Sequence, residues 1–429
     1  MHHPVLTLQE GKRAVDELSS HVNSAVDLMH HPPNDVAITD ESLTEFAYSL
    51  ALTSSEVNHM KSVAQIVLAE CVQPLSNAKN IAKIIISENH LFFGGRNDSG
   101  FDMVVLMQPH EDIQATTESI KENVRLLSSN TAGKQAAQLR ETVPGASKYT
   151  EGASGERPQS SHPTTLQFEF DGVLVKLAVG HRYSLGEKEN REAVWERIEK
   201  MDKEGKLKKV NLDQFVIDLH ESSTLFMHDQ VKPDSLGAET GNEKFVQAAL
   251  RLARAWRQCC LSHRDIQFSI MDAWLIMLHA VQTEVLKSPA IDPKSEGAAG
   301  VGGAVSGIRK SLKELFRGRG VTGKIQAGGH EVSMKGVFTE FLSHIINLET
   351  MNIQFSDLYD PSRVPDWVKT QRPLVLDPVC PYRNGMYNIH PRVAEDLKKH
   401  ANECLKALGD PNVTLPKLFQ LPAYKKRGA

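Results

Sequence analysis

The chain has 429 residues, 40% hydrophobic and 24% charged, and its 49 Lys+Arg against 53 Asp+Glu leave a net charge of −4. That length accommodates two or three domains with full cores, and the mild acidity argues against a wholesale nucleic-acid coat without excluding a local basic groove. No apolar run approaches the ~20 residues of a membrane span, the N-terminus has no secretory pattern, and Cys71, Cys259, Cys260, Cys380 and Cys404 lack zinc-ligand spacing, so reduced thiols in the cytoplasm or nucleus are expected.

Residues 1–40 form a polar N-terminal segment bearing Pro and His, with a helix predicted over Gln9–Met29. A helical region starts at Asp40. A second helix, capped by Ser54 or Ser55, carries Met60, Val63, Ile66, Val67 and Ala69 at helical spacing. Residues 80–87 are short and β-branched and read as a strand. A Gly-rich turn, Gly94–Gly100, leads into a second, buried strand with the apolar run Met103–Met107. Residues 112–127 read as helix. From 128 to 163 the chain is rich in Ser, Gly, Thr, Ala and Pro without period, and a long mobile loop is expected. Leu166–Phe170 and Val173–Val179, joined by Asp171-Gly172, give the clearest local signal, a β-hairpin with a two-residue turn. A tight turn sets Phe170 opposite Val173 and Gln167 opposite Lys176, with Glu169 and Lys176 diagonal on one face. A charged helix, Lys188–Glu204, ends at Gly205.

After Gly241 the composition shifts to amphipathic helices at Lys244–Cys260, Asp265–Leu286 and Met334–Leu348. A Gly/Ala/Ser-rich basic insert, 288–330, interrupts them. Arg372–Gly385 is a strand-like run ended by a Pro-rich turn, followed by a helix at Pro391–Leu408. The expected class is therefore α+β. An α/β lobe spans 41–240, a helical lobe spans 241–410, and a tail covers 411–429.

Asp102 stands at the mouth of the second strand, where polymerase-type nucleotidyltransferases place a metal-binding carboxylate. Those enzymes set two carboxylates two residues apart, because a two-residue step returns to the same strand face. A third carboxylate from a neighbouring strand completes a two-magnesium site. Here the partner position is Gly100. Asp98, Glu169 and Asp171 could rebuild such a site, but a loop explains the first better and the hairpin turn the third.

Read together, these pieces resemble the 2′-5′-oligoadenylate synthetase family, within the wider nucleotidyltransferase group that includes cyclic GMP-AMP synthase. Arg372-Pro-Leu-Val-Leu-Asp-Pro-Val-Cys-Pro-Tyr-Arg-Asn-Gly385 looks like the family's Arg-Pro-Val-Ile-Leu-Asp-Pro-Ala-Asp-Pro segment with its following Asn and Gly. Leu250-Arg-Leu-Ala-Arg-Ala-Trp-Arg-Gln258 and Gln267-Phe-Ser-Ile-Met-Asp272 look like two of its helix motifs, and the order holds from about residue 80 to 408. The resemblance implies a sheet lobe of polymerase-beta type joined to a helical lobe.

The resemblance fails at the chemistry. The family's Ser-Asp-Ala-Asp strand is Ser99-Gly-Phe-Asp here, so the first carboxylate is Gly100 and only Asp102 remains. The third carboxylate falls on Lys176, and no Gly-Ser phosphate hook stands upstream, near Ser87. A lone aspartate opposite a lysine does not supply the ligands that two magnesium ions need. An Asp102–Lys176 ion pair is expected to fill the emptied site. No metal or cofactor is expected; magnesium and ATP belong only to the alternative, an active enzyme with a remodelled site. The resemblance makes Arg254 and Gln267 nucleotide-binding candidates. It makes double-stranded RNA a candidate partner for Arg251, Arg257, Arg309, Lys310, Lys313, Arg317, Arg319 and Lys324, and a protein partner is the other expectation. Asp377 is expected to fix a turn or cap the next segment rather than act in catalysis.

Overall fold

The computed structural model describes residues 38–75, 80–87, 100–130, 140–142, 165–207, 212–231, 241–260, 268–286, 326–327, 330–355, 358–387 and 389–419. The helix expected at Gln9–Met29 and most of the insert 288–330 lie outside them. In chain order come α1 (Asp40–Ser49) and α2 (Ser54–Val67), the latter continued by a π-helical turn (Leu68–Val72). β1 (Ile81–Ser87), β2 (Gly100–Met107), α3 (Ile113–Asn130), β3 (Arg140–Thr142), β4 (Thr165–Phe170) and β5 (Val173–His181) follow. The helices α4 (Glu187–Lys203), α5 (Leu212–Asp218), α6 (His220–Val231), α7 (Gly241–Cys260) and α8 (Ile270–Leu286) come next. The short strands β6 (Gln326–Ala327) and β7 (His330–Glu331) precede α9 (Met334–Ile346). The described chain closes with β8 (Asn352–Ile353), α10 (Asp366–Lys369), β9 (Leu374–Val375), α11 (Pro391–Gly409) and α12 (Leu415–Phe419).

Local chemistry fixes the element ends. Thr53, rather than Ser54 or Ser55, caps α2: its hydroxyl accepts from the Glu56 N–H at 3.2 Å, and Glu56 Oε2 accepts from the Thr53 N–H at 2.6 Å. The cap residue must be extended, so both serines are already helical. Asp171 (φ 51°) and Gly172 (φ 75°) are both left-handed, which makes the hairpin turn type I′. The register that follows pairs Phe170 with Val173 and Gln167 with Lys176, as the hairpin reading requires.

The main sheet runs β1-β2-β5-β4-β3, with β2 and β5 parallel and the other neighbours antiparallel. β3 lies within the stretch expected to be one long loop. Its three residues, Arg140–Thr142, pair with β4, and a strand that short leaves no periodic trace in the sequence. One face of the sheet is apolar throughout. Phe101, Met103, Val105, Phe168, Val175 and Leu177 pack there against Met60, Val63 and Val67 of α2 and Ile120 and Val124 of α3. On the opposite face only Ile85, Val104, Leu106 and Ala178 make an apolar patch, covered by Ile217 of α5.

The second core does not begin where the composition shifts. Leu43 and Ala47 of α1, Val194, Trp195 and Ile198 of α4, and Phe226 and Met227 of α6 share one core with α7, α8, α9 and α11. The expected boundary at 240/241 therefore cuts through a core. The helical lobe draws elements from both sides of the sheet lobe, because the amphipathic faces of α1, α4 and α6 find their apolar partners there.

The late motif is the brace of this core. Asp377 is 4% exposed, and its Oδ1 accepts from the N–H groups of Val379 and Cys380 at 3.0 and 3.1 Å. Its Oδ2 accepts from Arg383 at 3.3 Å, so it fixes a turn as expected. Burial pushes its carboxyl upward, against the pull of Arg383 and the two N–H donors. Trp195 Nε1 donates to the Val379 carbonyl at 2.8 Å, which ties α4 to the turn. Asp272 closes a capping box with Ser269 at the start of α8, and it also lies on Gly385: a Cβ there would meet Asp272 Oδ1 at 1.9 Å. Two stretches that carried the family resemblance thus meet in space. Gly385→Ala is expected to displace the Asp272 cap and to lower stability by about 2–4 kcal/mol in urea unfolding. Trp195→Phe, which loses the hydrogen bond and leaves part of the indole's buried volume empty, is expected to cost about 2–3 kcal/mol.

Candidate functional site

The candidate site lies on the less apolar sheet face, at the end where β2 begins. Alternation puts Gly100, Asp102, Val104 and Leu106 on that face. Register then sets Ser87 of β1, Asp102 of β2, Lys176 of β5 and Gln167 of β4 in one row across four strands. Ser87 is buried, Asp102, Lys176 and Gln167 are half-buried, and Glu169, diagonal to Lys176, is exposed. One row further in, Ile85, Val104 and Ala178 are apolar and covered. The polar groups are therefore gathered at one end of the sheet, with Asp102 and Lys176 brought together as neighbours on the two central strands.

At Gly100, the position two residues before Asp102 on the same strand face, backbone closes the space. Gly100 pairs with Leu174 across the parallel ladder. A Cβ built on Gly100 would stand 2.5 Å from the Leu174 carbonyl oxygen and 3.0 Å from the Leu174 Cβ. Neither atom is the end of a flexible side chain, so a side chain at this position requires β2 and β5 to move apart.

Other candidates fall elsewhere. α7 carries Arg251, Arg254 and Arg257 into the interior, where Arg254 is 1% exposed and the other two 8%. Arg251 donates to Gln247 at 3.1 Å, and Arg257 donates to the Phe268 carbonyl. The expectation that Arg251 and Arg257 contribute to an exposed basic face is corrected here. Helical periodicity finds the apolar face of α7 but not what covers the polar one, and neighbouring helices cover both. Gln267, Arg309, Lys310, Lys313, Arg317, Arg319 and Lys324 lie outside the described residues. Asp171 belongs to the hairpin turn, where its carbonyl accepts from His59 Nε2 at 2.9 Å.

No family model matches the chain, and no curated protein matches it. Solved structures do. CdnC from E. coli MS115-1, in a structure with ATP, is similar over 87% of this chain and 92% of its own, at 13% identity and a TM-score of 0.50. The Cid1 poly(U) polymerase with MgGTP is similar over 89% of this chain and 99% of its own, again at 13% identity and 0.50. A Cid1 structure bound to MgATP matches over the same shares, 89% and 99%, at 12% identity and 0.50. The fold is that of a nucleotidyltransferase.

That fold implies a magnesium pair held by three carboxylates on the central strands. The residues in place are Gly100, Asp102 and Lys176, the first closed by the Leu174 backbone and the third a cation. Among the described residues no group of three or more His, Cys, Asp or Glu side chains is arranged to hold a metal ion. The donor set does not fit the metal pair. Sequence reasoning missed the backbone closure, since Leu174 is remote in the chain and a glycine's neighbours are not written in its own segment. It also missed Asp218, a single acid in the apolar run Phe215-Val-Ile-Asp-Leu219, which lies 1% exposed beside the end of β5. Gly100→Ala is expected to destabilise the protein by about 1–3 kcal/mol through this contact, read as a lower urea midpoint at unchanged slope.

Proposed function

We propose that this protein is a catalytically inactive nucleotidyltransferase of oligoadenylate synthetase type, acting by binding rather than by phosphoryl transfer. The observation that carries the reading is the Gly100–Leu174 contact, which keeps a carboxylate out of the first metal-ligand position while Lys176 takes the third. Lys176 lies in register with Asp102, and in this reading it is the counter-charge that stands in for a metal, since a half-buried carboxylate is costly without compensation. The ligand in this reading is double-stranded RNA, held by Arg309, Lys310, Lys313, Arg317, Arg319 and Lys324. Contacts of that kind go to phosphates and 2′-hydroxyls and need cation density more than a motif. Cys71, Cys259, Cys260, Cys380 and Cys404 are free thiols, which suits a reducing compartment, cytoplasm or nucleus. A role in innate antiviral sensing rests on family analogy alone.

The test incubates purified protein with magnesium, ATP and double-stranded RNA, follows oligoadenylate by chromatography, and measures RNA affinity at two salt concentrations. No product is expected, with affinity falling roughly 10³-fold between 50 and 200 mM salt. Replacing Arg309, Lys310, Lys313 and Arg317 by Gln is expected to flatten that dependence. Product that disappears in Asp102→Asn would mean a remodelled, working metal site. Neither product nor RNA binding would leave a protein-binding scaffold.

A further inference from the structure

Asp218 sits where the sheet meets the helical core. Its Oδ1 accepts from the His181 backbone N–H at 2.8 Å and from Gln214 Nε2 at 3.1 Å, and its backbone carbonyl accepts from Asn190 Nδ2 at 3.1 Å. Asn190 Oδ1 in turn accepts from the Tyr183 N–H at 2.7 Å. The carboxylate therefore ties the C-terminal end of β5 to α5, and the backbone carbonyl of the same residue ties α5 to α4. The fit is close: a Cβ on Gly180 would stand 2.8 Å from Asp218 Oδ1 and from Ile217 Cγ2. Ile217, the preceding residue, covers the apolar patch of the sheet.

The side chains around Asp218 form a chain short of one proton. His181 Nε2 lies 3.1 Å from the Glu111 carbonyl, an acceptor only, so Nε2 carries hydrogen and Nδ1 of the neutral ring is an acceptor. Tyr183 Oη lies 3.5 Å from that Nδ1 and 3.4 Å from Asp218 Oδ2. Its one hydrogen cannot serve both. With His181 neutral and Asp218 ionised, one of the two gaps has no proton in it, and both distances are long for O–H donors. One added proton fills the chain from either end. On Asp218 it gives Asp218 O–H to Tyr183, and Tyr183 O–H to His181. On His181 it gives His181 Nδ1–H to Tyr183, and Tyr183 O–H to Asp218.

We propose that His181, Tyr183 and Asp218 form a latch that takes up one proton and so tightens the joint between the sheet and the helical core. The surrounding groups leave that proton to the trio. Arg197 of α4 stacks over the Tyr183 ring at 5.4 Å, and burial holds the phenol protonated. Arg182 is engaged by the Ser184 and Leu185 carbonyls and by Glu221 of α6, at 3.3 Å from Glu221 Oε2. Lys83 of β1 also binds Glu221. His220 follows at the start of α6, Gln214 of α5 is a neutral donor, and Leu106 of β2 is apolar. Burial pushes the Asp218 carboxyl up to about 6, against the His181 and Gln214 donors. The sign follows: a carboxyl raised in the folded state adds stability below its unfolded value near 4, and that stability is lost as the pH rises to about 6.

The test compares urea unfolding of the full chain with Asp218→Asn between pH 4 and 7. In the variant the amide Nδ2–H serves Tyr183 permanently, while Oδ1 keeps the His181 and Gln214 donors. The wild-type unfolding constant, divided by that of the variant, is expected to rise about tenfold or more from pH 4.5 to 6 and then level off. A flat ratio would overturn the latch. If the variant does not fold, the carbon-13 carboxyl titration of Asp218 in the wild type decides. A midpoint near 6 that moves in Tyr183→Phe supports the latch, and a midpoint near 4, or one indifferent to Tyr183→Phe, overturns it.

Discussion

Parallel pairing of β2 with β5 is the constraint on which the other features rest. It places the two most apolar strands at the centre of the sheet, where Met103, Val105, Val175 and Leu177 are buried under α2 and α3. The same ladder sets Asp102 beside Lys176 and Gly100 against the Leu174 carbonyl. Parallel strands need a crossover, and here that crossover carries α3, β3 and β4. The hairpin then fixes β4 on the far side of β5. Core packing therefore decides what stands next to the remaining carboxylate.

The helical core depends on a different device. Its late motif has little regular structure, only β9 and one bridge, and is held by side chains instead. Asp377 organises the turn, Asn384 accepts from the Val375 and Met386 N–H groups, and Trp195 reaches in from α4. Buried polar groups satisfied in this way specify one arrangement, because each alternative strands a donor or an acceptor. That need accounts for a Pro- and Asn-rich segment persisting deep inside a core of helices.

The site and the scaffold differ in how firmly they are built. The scaffold satisfies its buried groups many times over, at Asp377, Asn384 and Asp272. The end of the sheet that bears Asp102 sets it beside Lys176 on the neighbouring strand, with Gly100 against the Leu174 backbone. Asp218 lies between the two: its carboxylate holds the end of β5 and its backbone carbonyl holds α4.

Sequence alone settled what neighbours along the chain decide. The Asp171-Gly172 turn set the β4–β5 register through its left-handed pair, the helical periods located α4, α7, α9 and α11, and Asp102 stood out as an isolated acid before an apolar strand. Caps shifted by a residue or more, and a three-residue edge strand went unseen, since such features carry little local pattern. Tertiary structure alone decided which strands pair in parallel, which helices share a core, that Arg251, Arg254 and Arg257 face inward, and that Gly100 meets a carbonyl. The reason is range. Turn geometry and helical period act over a few residues, whereas strand spacing and burial are set by contacts between segments that the sequence places far apart.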